Sequence, residues 1–141
     1  IMSMGYGGFA KKISEDDVSV SYEYGSFNLN IPKYINKEKI SDGLITINKS
    51  AFIKAEIHQR IRRRPSGRKR LETKQIIKAV DWNKEFSLGN ITFKNCSHCW
   101  HANHIPLLDI QIDITILKIL RKIFEYYQKT GEIPNQLEYF V

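Results

Sequence analysis

Between positions 112 and 127 the apolar residues fall at helical spacing. Ile112, Ile116, Ile119, Ile123 and Tyr127 lie along one line, with Leu117, Leu120 and Phe124 beside it. A stripe this wide belongs to a largely buried helix, and a buried helix needs an apolar layer to lie against. Gly131 and Pro134 supply the stop. The clearest remaining segments are short and alternate with period two, so the covering layer is expected to be a sheet.

Residues 18–24 alternate β-branched and aromatic side chains and read as a strand. Gly25-Ser26 reads as a turn into a second alternating run at 27–31, which makes a hairpin. Asp42-Gly43 is a turn signal ahead of a strand at 44–47, and residues 91–93 read as another. Residues 136–141 add an edge strand. The start of the long helix is ambiguous, because residues 108–114 also alternate like a strand. The glycine-rich start at 5–8 reads as part of a mobile lead-in over 1–12. The expected architecture is one α+β domain over 13–141, a mainly antiparallel sheet packed by one long C-terminal helix. A chain of 141 residues buries roughly 68% of its unfolded surface and needs no disulfide or metal to hold a core.

Residues 51–63 fit two templates. Ile53, Ile57 and Ile61 recur every four residues, as on a helix, yet Ile53, Ala55, Ile57, Gln59 and Ile61 also share one face of a strand. Pro65-Ser66-Gly67 interrupts, and apolar residues resume with Ile76, Ile77 and Val80. The reading leans to a hairpin, a basic arm over 53–80 with its tip at the Pro-Ser-Gly break.

That arm holds the most informative composition in the chain. Six of seven arginines lie between 60 and 70, namely Arg60, Arg62, Arg63, Arg64, Arg68 and Arg70. From 60 to 78 they are joined by Lys69, Lys74 and Lys78 against Glu72 alone, while the rest of the chain holds 13 basic and 14 acidic residues. A near-neutral body therefore carries one intensely basic segment. Lysine outnumbers arginine 15 to 7 overall, a bias of AT-rich bacterial or phage genomes, so arginine at this place is a departure. A planar guanidinium makes paired hydrogen bonds to phosphate and stacks on bases, which an ammonium does not. The expected phosphate contacts are Arg60, Arg62, Arg63, Arg64, Arg68, Lys69, Arg70 and Lys74. A basic turn that meets an acidic protein explains the same charge.

Residues 96–104 read Cys-Ser-His-Cys-Trp-His-Ala-Asn-His and hold both cysteines and three of the four histidines. A C-x-x-C turn offers two thiolates to zinc. Cys96, Cys99 and His104 follow the spacing that resembles a zinc knuckle, with Asp109 where the last cysteine would stand and His58 as a distant alternative ligand. The cofactor expectation is therefore none, or zinc on this half-motif. A thioredoxin-like redox site lacks its βαβ context. His104-Ile105-Pro106-Leu107 resembles the opening of HNH nucleases, but no histidine follows His104 to complete that family's site. Against all of these stands a partly buried turn anchored by Trp100.

Asp109 and Asp113, four apart, would share a helix face near its N-terminus, where the macrodipole favours carboxylates without any catalysis. Glu56 and His58, beside the arginines, are the candidate acid–base pair of a small nuclease. No phosphate-binding glycine loop, dinucleotide fingerprint or nucleophile elbow occurs. No apolar run follows a basic start, and the most apolar stretch, 105–120, carries Asp109, Asp113 and Lys118, so a cytoplasmic protein with no membrane partner is expected. The leading expectation is a non-catalytic nucleic-acid-binding accessory or regulatory protein. An adaptor or inhibitor that docks an acidic partner comes next and should show an exposed apolar surface within the basic patch. A metal- or Glu56/His58-dependent nuclease is third.

Overall fold

The computed structural model describes residues 5–63, 67, 69–106 and 108–141, and of positions 58, 60, 62, 63 and 69–72 it describes the backbone. β1 (Tyr6–Glu15) and β2 (Ser19–Asn28) pair antiparallel. The chain reverses between them where Asp16 Oδ1 accepts the N–H groups of Val18 and Ser19 at 2.7 and 2.8 Å. β3 (Gly43–Asn48) joins the other side of β2. β4 (Glu56–Arg63) and β5 (Lys69–Ile76) then form a separate two-stranded ribbon. A short helix, α1 (Trp82–Ser87), leads to β6 (Ile91–Lys94), which returns to pair with β3. β7 (Ala102–Ile105) and β8 (Ile110–Asp113) make a small hairpin, α2 (Ile114–Thr130) follows at once, and β9 (Gln136–Phe140) closes against β1. The main sheet runs β6-β3-β2-β1-β9 and is antiparallel throughout.

Period two in the strands and period 3.6 in the helix meet in one core. Val20, Tyr22 and Tyr24 of β2, Ile45 and Ile47 of β3 and Ile91 of β6 are buried in the same cluster as Ile116, Ile119, Leu120, Ile123 and Phe124 of α2. Phe52 and Trp82 stack on Phe124 with ring centroids 4.7 and 5.0 Å apart. α2 starts on Asp113, whose Oδ1 accepts the N–H of Thr115 at 2.9 Å. It stops on Gly131, left-handed at φ 76, whose N–H donates to the Tyr127 carbonyl at 2.7 Å. The chain is thus a single compact α+β domain, a mostly antiparallel sheet packed by one long helix. Among the described residues no helix is long and apolar enough to cross a membrane.

Three local expectations give way. Over residues 6–12 the expected lead-in is part of β1, which pairs on both sides, with β2 and with β9, and residues 1–4 of it lie outside the described residues. Gly8 sits there because a Cβ would strike the Thr115 methyl and come within 3.1 Å of the Tyr139 ring. The turn at Gly25-Ser26 does not form, and β2 runs through it to Asn28. A Cβ on Gly25 would meet the Ile40 carbonyl and the Phe9 ring, so this glycine marks a close approach and not a reversal. Asp109 and Asp113 do not share a helix face: Asp109 lies in the β7–β8 turn at φ 50, and Asp113 is the cap. The 51–63 ambiguity resolves as the hairpin, with strands at 56–63 and 69–76 inside the expected 53–80 arm. Of its tip, residues 64–66 and 68 lie outside the described residues.

Candidate nucleic-acid interface

β4 reads Glu-Ile-His-Gln-Arg-Ile-Arg-Arg, with Ile57 and Ile61 at same-face positions and no glycine or proline to break it. Its register on β5 pairs Glu56 with Ile76, His58 with Lys74, Arg60 with Glu72 and Arg62 with Arg70. The intervening pairs are Ile57 with Gln75, Gln59 with Thr73, Ile61 with Leu71 and Arg63 with Lys69. Strand alternation assigns the first set of positions to one face and the second to the other. Six of the eight expected phosphate-binding positions, Arg60, Arg62, Arg63, Lys69, Arg70 and Lys74, therefore lie on this ribbon, three on each strand. Arg64 and Arg68 lie outside the described residues. The last two pairs bring four basic positions directly opposite one another. Like charges in such pairs oppose folding unless a counter-charge lies between them.

The base of the ribbon is fixed by a residue that sequence reasoning missed. Gln128, buried on α2, accepts the Lys78 N–H at Oε1 (2.7 Å) and donates from Nε2 to the Lys78 carbonyl (2.8 Å). Its own carbonyl accepts from Gln75 Nε2 at 2.8 Å. The Lys78 ammonium lies 3.9 Å from the Glu56 carboxylate at the other strand's start. Gln128 stands one turn beyond Phe124 on the apolar stripe, and a polar residue at a core position is the signal that could have exposed it. Ile57 and Ile61, on the ribbon itself, are 64% and 67% exposed.

The cysteine–histidine run divides between core and surface. Cys96 is buried, its Sγ 3.4 Å from Ser26 Oγ and 3.5 Å from Asp113 Oδ2. Its N–H donates to the Tyr24 hydroxyl at 2.8 Å, and that hydroxyl donates to Asp113 Oδ2 at 3.0 Å. Burial, and then the charge of Asp113, pushes the Tyr24 hydroxyl far above its usual range. Burial raises the Cys96 thiol, and burial followed by Asp113 and Cys96 pushes Cys99 up to about 12.

His104 faces the other way. Its Nε2 lies 2.8 Å from Asp109 Oδ1 across the exposed end of the β7–β8 hairpin. The structure does not gather Cys96, Cys99 and His104, and among the described residues no group of three or more His, Cys, Asp and Glu side chains is placed to hold a metal ion. Trp100 packs edge-on to Tyr6 at 5.1 Å, the anchor of this turn. Glu56 and His58 occupy same-face positions of β4, two apart; the His58 side chain lies outside the described residues. Comparison of the chain with protein-family models, with curated proteins and with solved structures finds no match.

Proposed function

We propose that this chain is a non-catalytic nucleic-acid-binding protein, accessory or regulatory, that lays the β4–β5 ribbon on a phosphate backbone. The register of the ribbon carries the reading, because it sets Arg62 across from Arg70 and Arg63 across from Lys69 at the end away from the Gln128 anchor. Lys69 lies six residues from Gln75, about 20 Å along the strand. A basic end held out from a near-neutral body can reach a polyanion without bringing acidic surface against it.

The test is binding of generic duplex DNA and of structured RNA across a salt series. Wild type is compared with an Arg62/Arg63/Arg64→Ala variant. The logarithm of affinity should fall steeply with the logarithm of salt, and the variant's slope should be shallower by about 2–3, since each phosphate contact contributes about 0.9. Weak binding at low salt, unchanged in the variant, would overturn the reading. Cleavage of the probe that disappears in His58→Ala would overturn its non-catalytic part. The exposure of Ile57 and Ile61 favours a second reading, docking of an acidic protein, which expects an apolar surface among the basic positions.

A further inference from the structure

We infer that the ribbon takes B-form duplex DNA in its major groove, with Ile57, Gln59, Ile61 and Thr73 toward the base edges, and that it favours A·T-containing sites. This deepens the phosphate-binding reading and rests on it.

Three observations point the same way. The basic positions divide evenly, with Arg60, Arg62 and Arg63 on β4 and Lys69, Arg70 and Lys74 on β5. Arg63 and Lys69 share the face of Ile57 and Ile61, and Arg60, Arg62, Arg70 and Lys74 lie on the opposite one, so both edges of a ribbon about 5 Å wide and about 26 Å long carry cationic positions toward the two phosphate walls of a groove.

The two faces also differ in kind. Between pairs 57–75 and 61–71 one face carries no charged position at all, although Ile57, Gln59, Ile61 and Thr73 are exposed. Lone exposed isoleucines need no explanation, but here two recur on the same face of a basic ribbon. On the floor of a major groove that combination has a use. A glutamine amide pairs with adenine, threonine bonds either base type, and apolar groups rest on the thymine methyl.

The geometry selects the form of the duplex. A B-form major groove, about 12 Å wide, admits a two-stranded ribbon, whereas the A-form groove of RNA is deep and too narrow for side chains to read. Electrostatics alone would not discriminate between the two.

The experiment uses the full chain and three probes of one sequence at one salt concentration: an A·T-rich DNA duplex, the matching RNA duplex, and the DNA duplex with deoxyuridine in place of thymidine. The expected result is at least tenfold tighter binding to DNA than to RNA, and a loss of about fourfold for each methyl contact removed by deoxyuridine. Ile57→Thr/Ile61→Thr, which keeps β-branched residues on the ribbon, should weaken DNA binding about tenfold with the salt slope unchanged. Equal affinity for the DNA and RNA duplexes, with a steep salt slope in both, overturns this inference and leaves the phosphate reading standing. Indifference to deoxyuridine overturns the base-edge placement, whatever the variant does, and hands Ile57 and Ile61 to a protein partner. Absence of salt-dependent binding to any probe overturns the phosphate reading itself.

Discussion

Asp113 ties the N-terminus of α2 to the centre of the sheet, and its removal measures what that tie contributes. The residue is 1% exposed, caps the helix through Thr115 and accepts the hydroxyl of fully buried Tyr24. Asp113→Ala deletes the cap, worth about 1 kcal/mol, and orphans the Tyr24 O–H in a site closed to water, worth about 2 kcal/mol. The variant should lose about 3 kcal/mol in all. With an unfolding entropy of about 0.3 kcal/mol/K for a chain of this length, the midpoint of thermal unfolding should drop about 10 °C. Asp113→Asn keeps an acceptor for Thr115 but turns an amide toward the Tyr24 hydroxyl, which already accepts from Cys96, so about half the loss should remain. The assay is denaturant unfolding followed by circular dichroism, with midpoints compared at constant m. Tyr24→Phe completes a double-mutant cycle, and the two losses should overlap by about 1–2 kcal/mol. A cost below about 1 kcal/mol for Asp113→Ala, with strict additivity in the cycle, would falsify the claim that this bond joins helix to sheet.

Gln128→Ala should cost about 1–2 kcal/mol and speed hydrogen exchange at the Lys78 amide; unchanged exchange there would mean that another contact holds the ribbon base. Glu15 is bonded first to Lys12 (2.6 Å) and then to Lys49 (2.8 Å), which hold its pKa near about 2 against an ordinary 4.5. Its contribution is complete above pH 4.5 and is lost as pH falls from there through about 2, so Glu15→Gln should flatten the stability curve in that window, by less than about 1 kcal/mol at these partly exposed sites. An unchanged curve would show that the two lysines do not act on Glu15 in solution. Because Cys99 is pushed up to about 12 and Cys96 is raised and buried, a disulfide reagent at pH 8 should react slowly with the folded protein and rapidly with two thiols after denaturation. A thiol that reacts at once in the folded state would contradict the placement of these side chains.

What was legible in the sequence is what depends on local period. The stripe from Ile116 to Phe124 announced α2 and its burial, and the strands read at 44–47, 91–93 and 136–141 correspond to β3, β6 and β9. What was not legible depends on who the neighbour is. Gly8 and Gly25 look like flexible or turning residues in one dimension; their reason lies in Thr115, Phe9 and Ile40, which arrive from distant parts of the chain. At residues 108–114 two periods overlap and both are real, a strand that ends on Asp113 and a helix that begins after it. An aspartate just ahead of an apolar run is a cap signal, but Asp113 was read with Asp109 as a helix-face position, and the cap shows only in its bond to Thr115. The cysteine–histidine spacing is silent for a related reason: spacing says nothing of direction, and Cys96 turns inward to Ser26 and Asp113 while His104 turns outward to Asp109. Composition found the ribbon, but only the register separates a face with charged positions along its length from one whose charged positions are confined to the Arg63–Lys69 pair.

The ribbon and its proposed partner are energetically linked, and the link has a consequence that can be measured. A two-stranded hairpin without a core of its own is marginal in water, and β4 and β5 make no pairing outside their own two strands among the described residues. The register sets Arg62 opposite Arg70 and Arg63 opposite Lys69 at the end farthest from the Gln128 anchor, and like charges at directly opposite positions disfavour pairing in general. A polyanion that binds these positions binds the formed ribbon and not the opened one, so it must stabilise the pairing by an amount that grows with its concentration over its dissociation constant. At a hundredfold excess over that constant the gain is about 2.7 kcal/mol, or about a hundredfold in exchange rate for amides that open locally. Amides of β4 and β5 near the Arg62–Arg70 pair should therefore exchange faster than those of β2 in the free protein and slow by that factor with bound duplex. Salt without duplex should slow them only modestly, by screening. Exchange in β4 and β5 as slow as in β2 before any ligand is added would refute the argument, because the charge would then be held by something other than its partner.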